Sequence, residues 1–165
     1  MLLLSLLRSL VFNLNRMNDP FLLSNCCAVL MNLAPLTVDI HEYAAMRLVS
    51  VSVSCIKRYF VLRKQNPVGT EEADEALLTS VAQYGEVSRA LLHFMKLALS
   101  YKKIDQNVQL VYAMVYHQAD FQRLFNDNGK FFFLTVVETS NILVSTHQFF
   151  YLFCTKKYLP FVNAK

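Results

Sequence analysis

The residue types best suited to catalysis or metal binding are the four histidines, His41, His93, His117 and His147. They fall on separate predicted elements, and no two stand four residues apart, as metal-binding histidines on one helix do. The sequence also lacks the HExxH, GxSxG and GxGxxG motifs and any glycine-rich phosphate loop. His41 and Glu42 lie at a predicted helix start, where a capping pair is a simpler interpretation than an acid–base pair.

The four cysteines, Cys26, Cys27, Cys55 and Cys154, do not form a metal-binding or redox motif. Adjacent cysteines do not pair in ordinary secondary structure, and no CxxC spacing is present. We predict free thiols that are buried as small hydrophobic groups in a reducing compartment. The acidic run at residues 71–75 is typical of a solvated first helical turn. We therefore nominate no catalytic, cofactor-binding or metal residue, and we expect neither enzymatic activity nor a cofactor.

The composition indicates a helical protein with a large apolar surface to bury. Of the 165 residues, 55% are hydrophobic and 17% are charged, which is much apolar sequence for a free-standing small domain. We expect the chain either to dock on a partner or to be part of a larger protein. The net charge of +4 forms no continuous basic stripe of the kind that nucleic-acid binding requires. The basic residues lie mostly where helices are predicted to end, at Lys57, Arg58, Arg63, Lys64, Lys102 and Lys103.

The first residues resemble a signal peptide, but their pattern favours an amphipathic helix. Arg8 interrupts the apolar run, the start carries no positive side chain, and no small-residue cleavage site follows. The run is also too short and too polar to span a bilayer. One helical face is predicted from the spacing of Leu3, Leu6, Leu10 and Leu14.

The stretch from Asp19 to Lys64 predicts two apolar helices that are joined by a short break at Ala34–Pro35. Asp19 can cap the first helix, and Pro20 sits at the first position, where its missing N–H costs nothing. Proline also disfavours helical geometry at the preceding residue, so the helix should end there. The predicted buried face of this helix is Leu23, Cys26, Cys27, Leu30 and Leu33.

The second of these helices is predicted to begin between Asp39 and His41 and to run to about Lys64. The alternating run VSVSVSC is a strand signal by itself, but the helical spacing on both sides outweighs it. Two neighbouring apolar stripes predict a helix buried between others rather than one on the surface. The stripes are Ala44, Leu48, Val51, Cys55, Tyr59 and Leu62, and beside them Ala45, Val49, Ser52, Ile56 and Phe60.

After an exposed loop at residues 65–76, a long amphipathic helix is predicted to end before Tyr101. Gly85 lies within it and marks either a close helix crossing or a slight kink. Its apolar face is predicted to comprise Leu77, Leu78, Val81, Tyr84, Ser88, Leu91, Leu92, Met95, Ala98 and Leu99.

Asp105 is predicted to cap a further helix, and Asp120 to precede a short helical segment. The face of the first is Val108, Val111, Tyr112 and Val115, and the apolar residues of the second are Phe121, Leu124 and Phe125. We expect Tyr84 and Tyr112 to pack in the core. A strong turn at residues 126–129 then separates a helical region, 1–129, from a hydrophobic and poorly specified tail, 130–165.

Several stretches between residue 18 and about residue 125 together resemble the dymeclin family. They are FLLSNCCAVLMNLAP, IHEYAAMRLVSVSVSCIKRY and YGEVSRALLHFMKLALSYKKIDQNVQLVYAMVY, in the family's order and spacing. The resemblance implies an all-α protein of antiparallel helical hairpins within an armadillo- or HEAT-like α-solenoid. It also implies a non-enzymatic role in Golgi organisation and secretory trafficking, with peripheral association with Golgi membranes from the cytoplasm.

The resemblance further implies partners among proteins of the Golgi and trafficking machinery, with no nucleic acid and no small-molecule substrate. Family members are several times longer, so we expect a fragment or short isoform. Because Leu2 follows Met1, we expect this chain to lack the myristoylation signal of some members, and we expect no agreement with the family past about Lys130. The alternative hypothesis is a small membrane-interacting helical protein that uses its Leu-rich N-terminus and aromatic tail.

Overall fold

A computed structural model describes residues 2–65, 75–100, 102–121 and 123–124. The backbone forms two compact units, residues 1–121 and 122–165, and the helices described below belong to the first. These described residues are helical and contain no strand, which confirms the all-α class. The α-helices are α1 (Leu2–Phe12), α2 (Pro20–Leu33), α3 (Glu42–Gln65), α4 (Glu75–Ala98) and α5 (Val108–Tyr116).

The first helix is amphipathic, as predicted, and packs against α2 and α3. Of the predicted face, Leu10 is fully buried and Leu14 is buried in the turn that follows, whereas Leu3 and Leu6 are only half-buried. Leu7, which the prediction left out, is fully buried. The turn after α1, Asn13–Met17, is π-helical. At its end the Asn18 N–H donates to the carbonyl of Asn13, five residues earlier, at 2.9 Å. The leucine-rich side of this helix therefore contributes to the protein core.

Asn13 is a buried polar residue that the sequence pattern does not reveal. Its side-chain Nδ2 donates to the Asp19 carbonyl at 2.6 Å, and its Oδ1 accepts from the Asp19 N–H at 2.9 Å. Between the two, Asn18 adopts a left-handed conformation with φ of 53°, which asparagine tolerates better than most residues. The amide of Asn13 thus fixes the reversal between α1 and α2.

The start of α2 follows the prediction, because the Asp19 carboxylate accepts from the N–H groups of Phe21 (2.9 Å) and Leu22 (3.1 Å). The helix ends at Leu33, but Ala34 was wrongly expected to leave helical geometry. Ala34 keeps φ and ψ of −52° and −47°, and the chain continues into a 3₁₀ turn, Ala34–Leu36. The steric bias against helical geometry before proline is overcome at this position, and the missing N–H of Pro35 costs no hydrogen bond because Pro35 lies at the start of the 3₁₀ turn.

The central helix, α3, packs against α1, α4 and α5, which confirms that it lies between other helices. Both predicted stripes are buried along their whole length, and the VSVSVSC run is helical. Leu48 and Val49 are fully buried, and Ser52 satisfies its hydroxyl by donating to the Leu48 carbonyl at 2.8 Å. The side chains of α3 thus contribute to the core on two adjoining faces.

The register of α4 differs in part from the prediction. Leu78 is 50% exposed, so its assignment to the buried face was wrong, and Leu77, Val81, Tyr84 and Leu92 are only half-buried. The predicted residues Ser88, Leu91, Met95, Ala98 and Leu99 are buried. The helix packs against both α2 and α3. Its buried surface therefore includes a second stripe, which the spacing did not single out. That stripe is Gln83, Val87, Ala90 and Phe94.

Gly85 lies at a close crossing between α4 and α3, as one of its two predicted roles required. A Cβ atom added at Gly85 would lie 3.2 Å from Cε2 of the Tyr59 ring. Tyr59 has little freedom to move, because it is buried and its hydroxyl accepts from Nη1 of Arg63 at 2.7 Å. Glycine is therefore needed at this position to let the two helices approach.

The prediction that Asp105 caps α5 was wrong, because the residue before the helix is Asn107. Asp105 lies instead within a 3₁₀ turn, Ile104–Gln106. The side chain of Asn107 makes no cap, since its amide is bonded to other segments: Nδ2 donates to the carbonyls of Ala98 (2.8 Å) and Thr37 (3.2 Å). Its Oδ1 accepts from the Ile40 N–H at 3.3 Å.

The buried face of α5 also differs from the prediction. Val111 is buried as expected and Val115 is half-buried, but Val108 and Tyr112 are 41% and 58% exposed. The helix lies on α3, and the side that meets α3 carries Leu110 and Ala113. Val108 and Tyr112 are apolar enough for a core position, yet the contact between α5 and α3 is made by the neighbouring stripe of Leu110 and Ala113.

Several predictions lie wholly or partly outside the described residues. They concern most of the exposed loop at 65–76, Phe125, the turn at 126–129 and the tail at 130–165. The proposed boundary at residue 129 therefore stays a prediction.

Leu48→Ala should lower the free energy of unfolding by about 2–5 kcal/mol, because it opens a cavity on a fully buried face of α3. Leu78→Ala removes the same atoms from a half-exposed position on α4 and should cost less than about 1 kcal/mol. Urea unfolding followed by circular dichroism measures both. Equal losses in the two variants would contradict the burial of Leu48 and the outward position of Leu78.

Gly85→Leu should destabilise the unit by about 1–3 kcal/mol, because the new side chain meets the Tyr59 ring. Ala82→Leu places the same side chain on the exposed side of α4 and should leave stability within about 0.5 kcal/mol. Thermal unfolding of the two variants separates the effects. A Gly85→Leu variant more stable than the wild type would show that the crossing is open.

Candidate interaction surface

The groups that could act chemically do not converge in the part of the chain that the structure describes. No set of three or more histidine, cysteine, aspartate or glutamate side chains there is placed to hold a metal ion. Nδ1 of His41 lies 3.2 Å from the Tyr43 N–H and accepts from it, which confirms a capping role at the start of α3. His93 is half-buried on α4, where burial and then the nearby Lys96 lower the pKa of the imidazole. His147 lies outside the described residues.

Three of the four cysteines are free and buried, as predicted, and the fourth, Cys154, lies outside the described residues. Burial raises the pKa of Cys55 to about 12. The pKa of Cys27 is likewise raised to about 12, by burial first and by the neighbouring Glu86 carboxylate second. Because the thiolate is the reactive form, these thiols behave as small hydrophobic groups.

One charged cluster links the segment after α5 to α3. Nζ of Lys57 lies 2.7 Å from Oδ1 of Asp120, and Nδ1 of His117 lies 3.1 Å from Oδ2 of the same carboxylate. The hydrogen bonds from Lys57 and then His117 lower the pKa of Asp120. Since these side chains are partly exposed, solvent screens the ion pair, and it contributes only weakly to the contact between this segment and α3.

The most distinctive surface lies on the solvent side of α2. We define the α2 outer face as Phe21, Leu22, Val29 and Leu36, which are 77%, 36%, 40% and 76% exposed. The opposite side of the helix faces α1 and α4, and the hydroxyl of Ser24 donates to Oε1 of Glu86 on α4 at 2.9 Å. The helix itself, PFLLSNCCAVLMNL, contains no charged residue. A half-exposed helix without charge is unusual on a protein surface and typical of an interface.

Sequence reasoning missed this face because it assigned the remainder of the helix to Ser24, Asn25 and Asn32. A signal was present, since Leu22 and Val29 stand seven residues apart and so return to one side of α2, and the apolar Leu36 follows after the same interval in the 3₁₀ turn. The buried stripe of α2 was predicted well, with Leu23, Cys26, Cys27 and Leu30 buried and Leu33 half-buried.

Among the described residues, no helix combines the length and the apolar character needed to cross a bilayer.

Comparison with known proteins adds the family. The family model described as "Dymeclin: Dyggve-Melchior-Clausen syndrome protein" matches residues 1–150, a wider range than residues 18–125, on which the resemblance was based. The expectation that agreement with the family stops at about Lys130 was therefore wrong. No solved structure matches the chain.

Dymeclin of Xenopus laevis is 32% identical over 130 aligned residues, which cover 74% of this chain and 19% of that protein. Dymeclin of Gallus gallus is 30% identical with the same coverage, and that of Dictyostelium discoideum is 40% identical over 63 residues, 38% of this chain and 7% of that protein. The chain thus spans about a fifth of the length of the vertebrate relatives. Because the family model matches residues 1–150 of the 165 residues, the chain belongs to the dymeclin family.

Proposed function

We propose that the chain is part of a non-enzymatic helical scaffold that supports Golgi organisation and secretory vesicle trafficking through protein contacts. Membership of the dymeclin family supports this role, as does the dispersal of reactive groups in the described part of the chain. The proposed location is the cytoplasm, with peripheral association with Golgi membranes. The proposed partners are other proteins of the trafficking machinery.

The observation that carries the proposal is the α2 outer face. Phe21 and Leu36 each leave about three quarters of their surface in water. Fully burying an apolar side chain of this size contributes roughly 1.5–3 kcal/mol, so a helical partner that covers both would gain substantially. Large side chains at the centre of a contact commonly carry most of its binding energy.

We further propose that these helices belong to an armadillo- or HEAT-like solenoid of antiparallel hairpins. Two features support this arrangement: α3 is covered on two adjoining sides, and α2 offers another apolar side without a neighbour among the described residues. In a solenoid each repeat buries its faces against the adjacent repeats only, and the vertebrate relatives are long enough to supply them.

The burial of α1 weakens the alternative hypothesis, a small membrane-interacting protein. The leucines that would enter a lipid surface include Leu7 and Leu10, and these are fully buried against the protein. What remains for a membrane is the exposed pair Leu2 and Phe12, each 55% exposed. The aromatic tail of this alternative lies outside the described residues.

The double variant Phe21→Ser/Leu36→Ser tests the protein-contact proposal. Tagged chain is expressed in cells depleted of their own dymeclin, and two quantities are measured: the fraction that sediments with Golgi membranes and the secretion rate of a reporter. The wild-type chain should bind Golgi membranes and raise secretion. The variant should lose Golgi binding by roughly tenfold or more, because it removes the two most exposed large side chains of the α2 outer face.

Tyr112→Ser/Tyr116→Ser is the matched control, since these two side chains are 58% and 75% exposed on α5, away from α2. It should retain both activities, and circular dichroism should show that both variants are folded. A wild-type chain that is folded, evenly distributed in the cytoplasm and without effect on secretion would contradict the proposal. Flotation with liposomes alone, unaffected by the α2 variant, would favour the membrane alternative.

A further inference from the structure

A second surface, separate from the α2 outer face, is an open cleft between α1 and α3. The cleft is shallow and open to solvent, with a volume of about 360 Å³. Six residues line it, and three of them are arginines: Arg8, Val11, Phe12, Asn15, Arg16 and Arg47.

The π-helical turn helps to bring these arginines together. Arg16 lies in the turn Asn13–Met17, where the wider helical spacing slows the rotation of successive side chains about the axis. Arg16 is thereby placed on the same side as Arg8, two turns before it, and Arg47 enters the cleft from the first half of α3. Such π-helical insertions are frequent at functional sites.

The cleft concentrates positive charge without an internal counterion. None of its six lining residues is acidic, and Asp19 is the first acidic residue in the sequence. Within the described ranges, no carboxylate lies within ion-pair distance of Arg8, Arg16 or Arg47, and all three are exposed. Guanidinium groups stay charged at any physiological pH, so they repel each other until an anion enters.

The side chains present match a phosphorylated ligand in particular. The planar guanidinium group donates two parallel hydrogen bonds to phosphate oxygens, and three such groups suit a ligand with more than one phosphate. The amide of Asn15 can donate as well, whereas Phe12 and Val11 provide an apolar wall against which a ring can pack. We infer that this cleft binds a small polyphosphorylated group, such as a phosphorylated polyol.

Binding of inositol hexakisphosphate, measured by isothermal titration calorimetry at physiological salt, tests the inference. The wild-type chain should bind the probe at a defined stoichiometry of one. Each of Arg8→Gln, Arg16→Gln and Arg47→Gln should weaken binding by about tenfold or more, because each removes a charge-assisted bond. The corresponding lysine variants should recover only part of the affinity, since lysine keeps the charge but cannot donate two parallel hydrogen bonds to one phosphate.

Arg89→Gln is the matched control, because it removes an exposed arginine on α4 that does not line the cleft. It should bind as the wild type does, and circular dichroism should show that all variants are folded. Affinity that is unchanged in the three cleft variants, or equally tight binding of a polyglutamate peptide, would overturn the inference.

Vesicle binding distinguishes two sources of the phosphorylated group, a lipid headgroup and a free ligand. Vesicles of phosphatidylcholine that contain a phosphatidylinositol bisphosphate should be bound, and the cleft variants should lose this binding, if the group is a lipid headgroup. Binding of the soluble probe without vesicle binding would assign a free phosphorylated ligand. Both results support the cleft as a phosphate site, and failure of the α2 variant in cells has no bearing on them.

Discussion

The packing of the first unit depends on one buried side chain, the amide of Asn107, which is 1% exposed. Through Nδ2 and Oδ1 it bonds the end of α4 at Ala98 and both ends of the short strap from Thr37 to Ile40 that precedes α3. Beside it, the Asp39 N–H donates to the Gln106 carbonyl at 3.0 Å, with Asp39 held in the left-handed region. A buried amide bonded on both sides fixes these segments in a single arrangement.

Apolar patterning predicted the helices well because their burial follows a regular period. Every residue of the two stripes on α3 is buried, and the cap by Asp19 is formed as its position required. The failures concern choices that depend on a distant partner. Asp105 and Asn107 are both residue types that can cap the start of α5. The burial of Asn107 follows from its hydrogen bonds to the strap before α3, which is distant in sequence. Likewise, nothing local shows that α5 turns Tyr112 outward.

The two surfaces differ in chemistry and in how far the sequence revealed them. The α2 outer face follows from a seven-residue repeat and from a helix without charge, both of which can be read directly. The arginine cleft could not be read in this way, because Arg47 is far from Arg8 in the chain and Arg16 is brought into line by a π-helical turn. The proposed scaffold would thus present one apolar surface to a protein and one basic cleft to a phosphorylated ligand.

Hydrogen exchange of the Ile40 amide, which donates to Oδ1 of Asn107 at 3.3 Å, measures directly whether Asn107 holds the strap before α3. In Asn107→Ala, amide exchange at Ile40 should accelerate by about 100-fold, because the buried N–H loses its acceptor and the strap is released. Asn32→Ala, which alters an exposed asparagine on α2, should leave it unchanged. Exchange at Ile40 that is equally slow in the wild type and in Asn107→Ala would contradict the central role of Asn107.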